Sequence, residues 1–103
     1  MVYRVIVTPA AESDLRSAYR YIRSYAPLAA REWIRRARQA ARSLTRYPDR
    51  CPQAPESASF DQPIRELFFG SGNRGTYRFL FVVLEQEKSV YVLHVRHGSM
   101  LPL

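Results

Sequence analysis

The sequence has one cysteine, one lysine and no long apolar run, and each shortage excludes a class of protein. A lone Cys51 rules out an internal disulfide and fits a reducing compartment. It sits in a proline-rich stretch with no histidine nearby, so it is expected to be a solvated or half-buried bystander and not a nucleophile. No apolar stretch is long enough to cross a bilayer, and no charged-then-apolar leader opens the chain. The expectation is a soluble cytoplasmic protein with no membrane partner. His94, His97 and Cys51 stand at unrelated spacings, which implies no metal site and no cofactor. No Ser-His-acid set can be named either. At 103 residues the chain is expected to form one domain, 1–103, with a single modest core.

Arginine is what the sequence has in excess. The formal charge is +7, and Lys88 is the only lysine. Such an excess implies an anionic partner without choosing between nucleic acid and an acidic protein. The arginine fork grips phosphate or carboxylate at two points, where lysine offers a point charge.

Residues 2–7 alternate as a short strand, with Val2, Arg4 and Ile6 against Tyr3, Val5 and Val7. Thr8-Pro9 then supplies a helix start, a capping hydroxyl followed by a proline at the first helical position. The helix places Ala11, Leu15, Ala18, Ile22 and Ala26 on one apolar face, with Arg16, Arg20 and Arg23 striped along another. Pro27 breaks it. A second helix is expected over 28–47, with core face Ala30, Trp33, Ala37, Ala40, Leu44 and Tyr47. Arg31, Arg35, Arg38, Arg42 and Arg46 fall within about one quadrant of its opposite side. A solvated face is the plain reading of such a stripe, but five arginines with only Glu32 close by is more one-sided than solubility needs. Four prolines make 48–63 one long connection. A strand is expected at 64–69, and the glycine-rich 70–75 turns it into the last third of the chain. That turn lacks the strand-to-helix context of a phosphate-binding loop.

The last third reads as an antiparallel hairpin. Residues 77–84 and 90–97 are dense in β-branched and aromatic residues, joined by the polar 85–89. The first run is apolar at nearly every position, so it is expected to be buried on both faces and central in its sheet. Counting back from the turn brings Arg78 opposite Arg96 or His97. Paired cations repel, and an anion would relieve them, which makes this open end a candidate site. His94 and His97 alternate to opposite faces, so at most one shares a face with Arg78; His97, nearer the strand end, is the better candidate.

The order strand, helix, helix, strand, strand, strand, ending in V-L-H-V-R-H-G (92–98), resembles the RelE/ParE superfamily of bacterial type II toxins. The resemblance spans the chain. It rests on the run from Tyr3 through Leu15, on Ile64-Arg65-Glu66-Leu67, on Tyr77-Arg78-Phe79 and on the ending. It implies an α+β fold: an N-terminal strand, an antiparallel helical hairpin on one face of the sheet, and a three-strand antiparallel meander. It also implies a hetero-oligomer with an acidic antitoxin, held by Arg31, Arg35, Arg38, Arg42 and Arg46.

Two activities follow from the resemblance. RelE-like members are metal-free ribonucleases acting on ribosome-bound mRNA, and there Arg65, Arg78 and His97 would be catalytic. They would hold the phosphate and move a proton. ParE-like members poison DNA gyrase and are not hydrolases. In either case Arg74, Tyr77 and Arg96 are the expected contacts to the target or nucleic acid. The pattern commonly continues with an arginine after the His or Lys and a tyrosine near the end. This chain has Gly98 and an apolar tail, Ser99-Met100-Leu101-Pro102-Leu103. Missing those groups shifts the reading toward ParE-like action on gyrase. A non-toxic, arginine-rich nucleic-acid-binding module is the alternative from another class.

Overall fold

The computed structural model describes residues 2–70 and 76–98. Strand β1 (Arg4–Val7) leads into helix α1 (Pro9–Tyr25) and helix α2 (Pro27–Ser43); strands β2 (Arg65–Phe69), β3 (Tyr77–Leu84) and β4 (Ser89–His97) follow. The start of α1 is fixed as its residues dictate. The Thr8 hydroxyl accepts the Ala11 N–H at 3.3 Å and donates to the Val92 carbonyl at 2.8 Å, so the cap also ties the helix to β4. Pro9 fills the first turn, where no N–H partner is needed. Ala26 is the joint between the helices: its N–H closes α1 on the Ile22 carbonyl, and its carbonyl receives the Ala30 N–H of α2.

Helix α2 stops at Ser43, short of the expected 47. The bonds tighten to i→i−3 at Leu44 and Thr45. Tyr47, which precedes Pro48, turns to φ 50° and stands 72% exposed, so it is not a core residue. A residue before proline is pushed out of helical geometry, which accounts for the early end. Trp33, Ala37 and Leu44 are buried as expected.

The sheet order is β1-β4-β3-β2. The meander is antiparallel throughout, and β1 lies parallel to β4, with the two helices as the crossover between them. β3 is central, and its first six residues are buried. On one face Phe79, Phe81, Val90, Val92 and Val95 pack against Leu15, Ile22, Trp33 and Leu44. On the other, Leu80 and Val82 pack with Ile64 and Ala54. That second face is covered by the proline-rich connection, which forms two short 3-10 turns, Pro48–Arg50 and Pro55–Ser59. Cys51, between these turns, is buried in the helix-side core instead of solvated or half-buried as expected, and burial raises its thiol pKa.

One irregularity matters for the site. Leu80 pairs with His94 and Phe81 with Val92, which leaves Leu93 as an extra residue in β4. This β-bulge resets the alternation along the strand.

Candidate functional site

The register places Arg78 directly opposite Arg96, one of the two pairings expected. The anion that relieves them comes from the chain itself. Arg78 is 4% exposed and donates from both terminal nitrogens to Glu56, at 2.9 and 2.6 Å. Glu56, 1% exposed, descends from the second 3-10 turn. Glu66, one strand over on β2, accepts a further bond at 3.1 Å. Bonding to Glu56, ahead of the opposing effect of burial, raises the pKa of the guanidinium, so its charge is fixed. Glu56 was not anticipated from sequence. Its only signal was a carboxylate in a stretch otherwise written in proline, serine and alanine.

The three residues expected to be catalytic are not brought together. Direct partners on antiparallel strands share a face. Tyr77 therefore carries His97 to the helix side, while Arg78 points to the loop-covered side. The histidine on the Arg78 side is His94, opposite Leu80, which corrects the preference for His97. Its Nδ1 lies 3.2 Å from Asp14 of α1, and Asp14 also accepts the Val95 N–H at 3.0 Å. The His97 ring meets the Tyr77 ring edge-on, centroids 4.9 Å apart. Arg65 also faces the helix side, opposite Phe81, and donates to the Cys51 carbonyl at 2.6 Å. Phe81 lies four residues beyond Tyr77 on β3, roughly 13 Å along the strand.

Of the expected target contacts, Arg96 is half-buried and Tyr77 is buried against Trp33, centroids 5.0 Å apart. Arg74 and the apolar tail from Ser99 lie outside the described residues.

The arginine stripe of α2 is exposed, and part of it is paired. Glu32 accepts from Arg35 at 2.6 Å and from Arg36 at 3.1 Å, and these bonds lower its pKa to about 2. Arg38 lies 3.9 Å from Glu12 of α1. Arg38 and Arg42 also line a groove of about 550 Å³ with Ala41, Val5, Val7 and Thr45. The floor of that groove is the outer edge of the sheet. The Arg4 and Thr8 amides bond toward β4, so alternation turns those of Val5 and Val7 outward. The chain itself begins to pair this edge, with the Tyr3 N–H on the Thr45 carbonyl at 2.8 Å in a single bridge of Val2 with Arg46, and among the described residues goes no further.

Comparison with known proteins places this geometry. Residues 5–102 match the family described as the ParE toxin of the type II toxin–antitoxin system parDE. No curated protein sequence matches significantly. Among solved structures the chain is similar to a chromosomal ParDE system from P. aeruginosa, at 17% identity and TM-score 0.69, over 93% of this chain and 96% of that one. It is also similar to the toxin–antitoxin complex RelBE2 from Mycobacterium tuberculosis: 20% identity, TM-score 0.59, 94% and 99% covered. A free mutant of the E. coli toxin RelE follows at 12% identity and TM-score 0.57, with 96% and 86% covered. At these identities the structures speak for the fold.

Proposed function

The chain belongs to the ParE toxin family of type II toxin–antitoxin systems, and from that premise we propose that it inhibits growth by acting on DNA gyrase and does not cleave RNA. The observation that carries the reading is the state of Arg78. Both arms of its fork are held by Glu56, out of contact with water. A ribonuclease needs such a cation aimed at the scissile phosphate, together with a proton-transferring group on the same side. Here His97 and Arg65 lie on the other face of the sheet. Induced expression should trigger the SOS response, and the purified chain should inhibit supercoiling by gyrase. Ribosome-dependent cleavage of mRNA by the wild type, lost in Arg78→Ala, would overturn the reading.

The partner that silences it is, on the same premise, an acidic antitoxin. The surface suited to it is the groove between α2 and the β1 edge, where cations rim an apolar floor and unpaired backbone. A disordered acidic segment that orders on binding fits such a surface. Charge reversal at Arg35, Arg38 and Arg42 should weaken the complex while the fold is kept. The same affinity at low and high salt, with or without these changes, would exclude an electrostatic role for the stripe.

A further inference from the structure

The end of the molecule where α1 turns into α2 exposes rings and apolar surface that folding does not use. Tyr21 is 67% exposed, Tyr25 56% and Leu28 80%. Among the described residues the other exposed large hydrophobic side chains, Val2, Tyr47, Phe60 and Phe68, stand in other parts of the chain, so three of the seven gather at this one turn. Tyr21 and Tyr25 are one helical turn apart, with rings edge-to-face and centroids at 5.4 Å. The pKa of the Tyr77 hydroxyl is raised by burial and, to a lesser degree, by these two phenols. Tyr77 in turn touches His97. Two ring pairs are thus present, Tyr21 with Tyr25 on the helix surface and Tyr77 with His97 at the open end of the β3–β4 hairpin. Tyr77 was the aromatic expected to meet a target. It is buried, whereas Tyr21 and Tyr25 are exposed.

Within the turn itself the charge has one sign, and the nearest carboxylates in sequence are Asp14, beside His94, and Glu32, held by Arg35 and Arg36. From residue 15 to residue 31 there is no carboxylate, and Arg16, Arg20, Arg23 and Arg31 are all exposed. Of these, Arg16 lies 3.9 Å from Glu12, and Arg23 lies over the Tyr19 ring at 5.6 Å. A ligand suited to this place is anionic and presents flat faces to stack. Single-stranded nucleic acid has both properties; duplex keeps its base faces inside the stack. We infer that the α1–α2 turn is a binding surface for single-stranded nucleic acid, with Tyr21 and Tyr25 as stacking platforms and the surrounding arginines drawing in the backbone. The inference does not depend on which target the toxin inhibits.

The test is fluorescence anisotropy of a labelled oligothymidylate of about twenty nucleotides, titrated with the full chain at several salt concentrations. Replacing both Tyr21 and Tyr25 by Ala should weaken binding roughly thirty-fold or more. Replacing both by Phe keeps the ring faces and should keep the affinity. Arg20→Gln with Arg31→Gln should flatten the salt dependence by about 0.7 in slope per lost charge. Both tyrosines are exposed on a helix and alanine favours helix, so the melting temperature should not move. The inference is overturned if the wild type does not bind at low salt, or if the double alanine variant binds as well as the wild type. It is overturned equally if duplex DNA binds as tightly. Should polyglutamate bind with the same dependence on the two rings, the surface faces an acidic protein and the inference is wrong.

Discussion

Replacing Arg78 by alanine separates a structural arginine from a catalytic one. In the folded chain the guanidinium is the partner of a fully buried Glu56 and of the largely buried Glu66. Alanine leaves the Glu56 carboxylate in the interior without its principal cation. Breaking a buried pair from one side costs about 3–5 kcal/mol, because the surviving charge is uncompensated. Against a total stability of about 5–15 kcal/mol, that is a third or more for many proteins of this size. The melting temperature should fall by on the order of 15 °C or more. Arg78→Met combined with Glu56→Leu removes the two fully buried charges and refills their volume, leaving only Glu66, whose side chain keeps 15% of its surface exposed, without this cation. Such apolar replacements are often neutral or stabilising, so the double variant should melt within about 2 kcal/mol of wild type. Calorimetry of the three proteins, alongside growth arrest on induction, gives the answer. Toxicity lost in Arg78→Ala and restored in the double variant means that Arg78 acts through the fold. A double variant that melts like wild type but has lost toxicity would refute this account and return Arg78 to the target.

Other outcomes follow from the same structure. Trp33→Ala removes the ring on which Tyr77 and Phe69 pack, and should cost about 3–5 kcal/mol by denaturant unfolding; an unshifted midpoint would mean that the ring is not a core element. The Glu32 carboxylate is held low by Arg35 and Arg36, so its stabilising bonds are complete above its ordinary value of 4.5 and lost as pH falls toward about 2. An NMR titration should place its midpoint near 2, and replacing both arginines by Ala should return it toward 4.5.

The parts of the fold legible in the sequence were those written in local chemistry. Thr8-Pro9, the apolar faces of the two helices, the apolar run of β3 and the opposition of Arg78 to Arg96 all depend on residues near one another in sequence or across one tight turn. The illegible parts depend on distant segments. Glu56 is 22 residues from Arg78, inside a connection whose prolines suggested only irregularity. The bulge at Leu93 could not be read from a run with β-forming residues at every position, yet it decides where the later residues of β4 point. The 3.6-residue period of α2 continues in the sequence to Tyr47, beyond its actual end at Ser43. Pro48 ended it sooner, a local effect given too little weight beside the periodicity. The candidate site suffered most. The opposition of Arg78 to Arg96 is local, but the two carboxylates that converge on Arg78 come from separate elements.

The parallel pairing of β1 with β4 has a consequence for the life of the chain as it is made. Arg4 lies beside Ser89 in the finished sheet, a separation of 85 residues (89 − 4). Among the described residues no other strand pairs with β1, and β4 is the last of the described strands to be made. During translation the N-terminal strand and both helices must therefore wait without the sheet on which they pack. Closure over so long an interval is slow compared with local folding. The sheet can close only once β4 has been made, and until then the helices lack the face that buries Leu15, Ile22 and Trp33.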